Sequence, residues 1–156
     1  MRRKLKSKRQ LTPDYKYQSV KVTKLVNYLM EKGHKNISRG IVYGAFDDLK
    51  EKTKRDPMEL FEEAINNAAP QMEIKTRRVG GANYQIPFPI QGHRQLHYAF
   101  MWLVQSARAR KGAPYADRLM LEIVDAYNET GATFKKKEDT HKMAEANRAF
   151  AHFARG

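Results

Sequence analysis

One stretch constrains the fold of this chain more than any other: Gln71 to Gln91, QMEIKTRRVGGANYQIPFPIQ. Met72, Ile74 and Thr76 alternate with Glu73, Lys75 and Arg77. Beyond Gly80-Gly81, Tyr84, Ile86, Phe88 and Ile90 alternate with polar residues or proline. Period-two alternation on both sides of a glycine pair predicts a β-hairpin. A two-residue turn would set Ile74 opposite Pro87 and Lys75 opposite Ile86, mixing the faces. A three-residue loop, Gly80-Gly81-Ala82, instead lines Met72 and Ile74 up with Ile90 and Phe88, and a buried face favours that register. Pro87 and Pro89 donate no backbone hydrogen bond, so the expectation is a two-stranded ribbon with no third strand. Its tip, with Lys75, Arg77, Arg78, Asn83, Tyr84 and Gln85, suits the groove of a polyanion.

Everything else reads as helix. Ser19 is placed as the cap of a first helix carrying Val22, Leu25, Val26, Leu29 and Met30, which ends at Gly33. Ser38 is placed as the cap of a second, with Ile41, Val42, Ala45, Phe46 and Leu49 buried. The third opens on Asp56 as cap, Pro57 at the first helical position and Glu59 two residues later, and Pro70 stops it. A fourth runs from His93 to Arg110 with Leu96, Phe100, Leu103, Val104 and Ala107 inward and Trp102 at the stripe's edge. A fifth carries Leu119, Met120, Ile123, Val124 and Tyr127 and ends at Gly131; the last runs from Lys137 to Phe153. The expected fold is mainly α: about six helices in a bundle, one protruding hairpin at about 72–90 and a basic N-terminal tail. The expected organisation is a tail and connector over 1–18, one helical domain over 19–153, and a short end, 154–156.

Charge then narrows the partner. The chain has 30 Lys and Arg against 17 Asp and Glu, a net charge of +13, which favours nucleic acid. No cysteine occurs, so disulfides and thiolate metal sites are excluded. No apolar run reaches the ~20 residues of a membrane span, and the basic start lacks the apolar stretch of a signal peptide, so a soluble cytosolic chain is expected. From Asp47 to Glu63, seven acids outnumber four bases. The basic excess lies in the tail (Arg2, Arg3, Lys4, Lys6, Lys8, Arg9), the turn after the first helix, the hairpin, Arg108 to Lys111 with Arg118, and Lys135 to Lys137. Such segregation predicts one face for a polyanion and a back face without one.

Chemistry is absent from the motifs. There is no nucleophile elbow, no phosphate loop and no dinucleotide fingerprint. His93 and His97, four apart on a helix, could face one metal, but the glutamate of a metalloprotease and a third ligand are missing; phosphate contact or partial burial fits them better. Glu138, Asp139 and His141 read as the start of the last helix, where acids complement the dipole. No cofactor, metal or catalytic residue is expected. A sequence-specific DNA regulator would share the charge and helices but lacks a helix-turn-helix with a recognition face. A metal-dependent nuclease lacks its ligands.

Two stretches carry a resemblance. Glu73 to Pro87, with its core Arg-Arg-Val-Gly-Gly-Ala-Asn-Tyr-Gln-Ile-Pro, and Lys135 to Phe153, KKKEDTHKMAEANRAFAHF, resemble the bacterial small-subunit ribosomal protein S-seven family. So does the first helix with Ser19, Val22, Lys24, Asn27, Leu29, Met30 and Gly33, and the resemblance spans essentially the whole chain. It implies a structural component of the small subunit that binds the 3′ major domain of its rRNA, nucleates head assembly and performs no catalysis. The ribbon would lie at the subunit interface near the exit-site tRNA and the mRNA path, with the ninth and eleventh small-subunit proteins as neighbours. Carried onto matching positions, the implied rRNA contacts are the six tail cations, Lys35, Lys75, Arg77, Arg78, Gly80, Gly81, Arg94, Arg108, Arg110, Lys111, Lys135, Lys136, Lys137, Lys142 and Arg148. The tip near tRNA and mRNA would be Arg78, Val79, Gly80, Gly81, Ala82, Asn83 and Tyr84. This chain departs from the family pattern at Pro13-Asp14, at Gly33-His34-Lys35, and at Met101, where an arginine is common.

Overall fold

The computed structural model describes residues 10–155, so the six tail cations lie outside the described residues. The elements follow as α1 (Val20–Leu29), α2 (Lys35–Thr53), α3 (Pro57–Ala68), β1 (Met72–Val79), β2 (Ala82–Pro89), α4 (His93–Ala109), α5 (Tyr115–Tyr127) and α6 (Gly131–Ala146). A terminal 3₁₀ helix, Arg148–Arg155, closes the chain. The expected mainly helical bundle with one antiparallel hairpin is the observed architecture.

The apolar stripes meet around α5, which packs on α2, α3 and α4. Leu119, Met120, Ile123 and Ala126 of α5 are buried with Phe46 of α2, Phe61 of α3 and Phe100 of α4. The three phenylalanine rings form a chain with centroids 5.3 and 6.3 Å apart, and Tyr28 of α1 stacks on Phe100 at 5.5 Å. Aromatic rings at these separations add to the stabilisation from buried area. Trp102 is buried beside Tyr98, so it packs.

Local chemistry sets most boundaries. Asp56 accepts from the Met58 amide at 3.1 Å and Pro57 occupies the first turn of α3, as its sequence expects. Other boundaries differ from expectation. Ser19 stands before α1 with no side-chain cap bond; the connector is held instead by Asp14, which is buried and accepts from the Lys16 and Tyr17 amides and the Tyr43 hydroxyl. α1 stops at Leu29, ahead of Gly33. Ser38 does not cap α2, which begins at Lys35; its buried hydroxyl donates back to the His34 carbonyl at 3.2 Å.

The largest correction concerns α6. Gly131 opens it rather than ending α5, so Lys135 to Lys137, Glu138, Asp139 and His141 lie inside a helix that starts six residues earlier than expected. Gly131 holds φ +80°, and a Cβ there would sit 2.8 Å from Asp125 Cβ. Backbone and space both require glycine at this corner. The continuous last helix expected to Phe153 also breaks, at Asn147, into the 3₁₀ helix.

Candidate nucleic-acid interface

The ribbon turns in two residues. Gly80 and Gly81 hold φ +58° and +93°, positive at both central positions as a type I′ turn requires. The register therefore pairs Ile74 with Pro87, Lys75 with Ile86, Arg77 with Tyr84 and Arg78 with Asn83. This overturns the three-residue loop. Turn chemistry prevailed over matching apolar faces, because the base of the ribbon is covered on both sides: Ile86 and Pro87, neighbours on opposite faces, are both buried.

The mixed face is reconciled by charge. Glu73 lies on the same side as Ile86 and Phe88, with its side chain only 4% exposed. It accepts from the Arg94 guanidinium and from the Tyr98 hydroxyl at 2.9 Å, and forms an ion pair with Lys75 Nζ at 2.9 Å. Burial pushes the Glu73 carboxyl up, but Lys75, Arg94 and Tyr98 outweigh it and hold the group below its ordinary range. Lys75 also stands 4.8 Å from the Phe88 ring centroid, a diagonal neighbour across the ribbon. Sequence reasoning missed Glu73 because an alternating strand predicts an exposed acid at that position.

Farther out, Arg77 and Arg78 part company. Tyr84, opposite Arg77, packs against Phe150 and Phe153 of the 3₁₀ helix, both at 5.2 Å, and Arg77 Nη1 donates to the Phe153 carbonyl at 3.1 Å. Arg78 and Asn83 share the other face and are exposed, as are Gly80, Gly81 and Ala82. Val79 and Tyr84 are half-buried. The tip protrudes, but its shaft leans on the end of the chain.

The remaining cations divide by what they touch. Lys35, Lys111 and Lys135 are exposed. Arg108 is exposed but braced by Glu31 at 2.9 Å and the Leu29 carbonyl at 3.2 Å. Lys136 reaches Gln105 of α4, and Lys137 donates to the Asn67 carbonyl at 2.7 Å, joining α6 to α3. Lys142 pairs loosely with Glu138 along α6, and Arg148, at the start of the 3₁₀ helix, pairs loosely with Glu145 of α6. Arg110 is different. Its Nε donates to Glu122 at 2.7 Å and its Nη2 to Asp125, while Glu122, fully buried in α5, also accepts from the Thr133 amide and hydroxyl at 2.9 and 2.6 Å. Arg110 is committed to tying α4, α5 and α6 together. Arg118, donating to the Arg108 and Arg110 carbonyls, orders the same corner.

Among the described residues there is no group of three or more His, Asp and Glu placed to hold a metal, and no helix long and apolar enough to cross a membrane. Comparison with known proteins decides among the partners such a surface admits. The family described as ribosomal protein S7p/S5e matches residues 1–148. The chain belongs to the ribosomal protein S7p/S5e family.

Relatives agree across nearly the full length. Small ribosomal subunit protein uS7 of Thermotoga maritima is 53% identical over 153 residues, covering 98% of this chain and 99% of its own. The protein of that name from Caldanaerobacter subterraneus is 53% identical over 146 residues, 94% of each chain, and that of Chloroflexus aggregans 50% over 154, covering 99% of this chain and 98% of its own. As an S7p/S5e protein the chain is a structural, non-catalytic component of the small ribosomal subunit, and RNA binding is consistent with that family.

Proposed function

We propose that this chain binds the 3′ major domain of small-subunit rRNA and nucleates assembly of the subunit head. The observation that supports it most is the ribbon itself. A two-glycine tip carries Arg78 and Asn83 outward on a shaft clamped at its base by Glu73, Lys75 and Arg94 and along its side by the 3₁₀ helix. Folded RNA is recognised largely by shape and phosphate position, and such a ribbon fits a junction between RNA helices. The phosphate contacts are Lys35, Arg78, Arg108, Lys111, Lys135, Lys136, Lys137, Lys142 and Arg148, joined by the tail cations and by backbone at Gly80-Gly81; Lys75, Arg77, Arg94 and Arg110 serve the fold. The tip faces the exit-site tRNA and mRNA path at the subunit interface. The ninth and eleventh small-subunit proteins are its neighbours, and its place of action is the cytoplasm.

The test is equilibrium binding to a transcript of the 3′ major domain, with the 5′ domain as competitor. The double variant R78A/K135A should lose at least about ten-fold in affinity while its circular dichroism is unchanged, since each lost cation removes counterion release. Equal competition by the 5′ domain would overturn the assignment.

A further inference from the structure

The connector ahead of α1 is built around one buried acid. Asp14 is only 5% exposed. Its carboxylate accepts from the Lys16 amide at 3.1 Å and the Tyr17 amide at 3.3 Å, which closes a turn on itself. The Tyr43 hydroxyl donates to it at 2.9 Å and fastens that turn to α2. The edge of the Tyr17 ring meets Phe46 of the core with centroids 5.1 Å apart. Gln18, at φ +49°, donates its amide to the Asp14 carbonyl at 2.9 Å, and the Asp14 amide donates to the Ser19 carbonyl at 3.2 Å. The chain therefore reverses direction immediately before α1.

From that reversal the connector runs back along the helix it precedes. The Thr23 hydroxyl donates to the Thr12 carbonyl at 2.9 Å, and Leu11 lines a cavity with Asn27 and Tyr28 of α1 and Leu96 of α4. As the chain number falls from Asp14 through Thr12 to Leu11, its partners climb from Ser19 through Thr23 to Tyr28. Such a path is antiparallel to α1. It delivers the chain to the side where α1 faces α4, near the far end of α1 from Asp14.

We infer that Asp14 is a positioning residue for RNA binding: it fixes the point from which the six tail cations depart. The inference rests on the RNA-binding reading above, and Asp14 itself touches no RNA in it. Held at Leu11, the connector leaves Arg9 two residues from a packed side chain; released, it leaves Val20 as the nearest anchor, eleven residues away. Effective concentration falls roughly as the −3/2 power of tether length, so release costs roughly 3-fold at Arg2 and roughly 10-fold at Arg9.

The experiment measures affinity of the full chain for the 3′ major-domain transcript, with D14A made in two backgrounds. One is the native tail; the other is R2Q/R3Q/K4Q/K6Q/K8Q/R9Q, which removes the tail charge and keeps its length. D14A should weaken binding roughly 3- to 10-fold with the native tail and less than about 2-fold with the neutral one. T23V removes the hydroxyl that holds Thr12 and keeps the side chain's shape. It should show a smaller loss with the same dependence on tail charge, and it carries the test if D14A does not fold. Equal losses in the two backgrounds would confine Asp14 to stabilising the fold and overturn the inference, as would wild-type affinity in both D14A and T23V. A neutral tail that binds as tightly as the native one would also overturn it, leaving RNA binding by the hairpin and helices standing. A wild type that does not prefer this transcript to the 5′ domain would overturn the RNA-binding reading, and the inference with it.

Discussion

Arg77 and Arg78 are adjacent in the chain, yet the ribbon sends them to opposite faces: Arg77 donates to the Phe153 carbonyl at 3.1 Å, and Arg78 stands exposed beside Asn83. The RRVGG motif therefore joins two different tasks. One arginine fastens the ribbon to the end of the chain, and the other meets solvent at the tip.

Alanine at the two positions should separate these tasks. R77A should release the 148–155 segment, read as faster amide exchange or earlier proteolysis there, with the melting temperature nearly unchanged because the bond is exposed. R78A should leave exchange as in wild type and weaken RNA binding. Equal exchange in the two variants would contradict the division.

The corner of α4, α5 and α6 should be the costliest polar site to disturb. Glu122 is fully buried and accepts from Arg110 and Thr133. Removing one partner of a buried pair leaves uncompensated charge, at a cost of about 3–5 kcal/mol. R110A, whose guanidinium is partly exposed, should fall at or below the low end of that range in chemical denaturation, and E122A R110A should lose less than the sum of the singles.

Two glycine positions make opposite demands. At Gly80 the type I′ turn accepts asparagine, so G80N should be within about 0.5 kcal/mol of wild type, whereas G80V should cost about 1–2 kcal/mol. G131A should cost more than G80A, because it meets Asp125 Cβ as well as a left-handed backbone. If G80V proved neutral, the two-residue turn and its register would be wrong.

Acid should loosen the base of the ribbon before it unfolds the bundle. The Gln71 amide donates to His141 Nε2 at 3.0 Å, so the ring must be neutral there. Burial, then the charge of Lys137, holds this imidazole below its ordinary value. A depressed value in the folded state means the unfolded chain takes up the proton first. This contribution to stability is thus complete above about pH 6.5, falls as pH drops toward the folded value, and is lost below it. H141Q should flatten that part of the stability-pH curve, measured by denaturant titration at several pH values.

Where local signals were strong, the sequence could be read directly: Asp56-Pro57 opens α3, and the stripes of α4 and α5 are the buried ones. It misled where one residue has two meanings. Gly131 reads as a helix stop, and only the approach of Asp125 reveals it as the start of α6. The ribbon's register looked decided by apolar faces because the burial of Pro87 and the ion pairing of Glu73 depend on tertiary neighbours. Glu122, an acid on a solvated-looking α5 position, and the leaning of Phe150 and Phe153 on Tyr84 are likewise long-range facts without a local signature. Among the candidate cations, charge was legible but commitment was not: Arg110 and Arg78 look alike in sequence and differ entirely in what they touch.

The central claim is that this surface reads folded RNA and not charge alone. Binding to the 3′ major-domain transcript and to duplex DNA of equal length, titrated with salt, tests it most directly. Specific shape recognition predicts that RNA binding persists at moderate salt while DNA binding collapses. Parallel loss on both polymers would contradict it and leave only a basic surface.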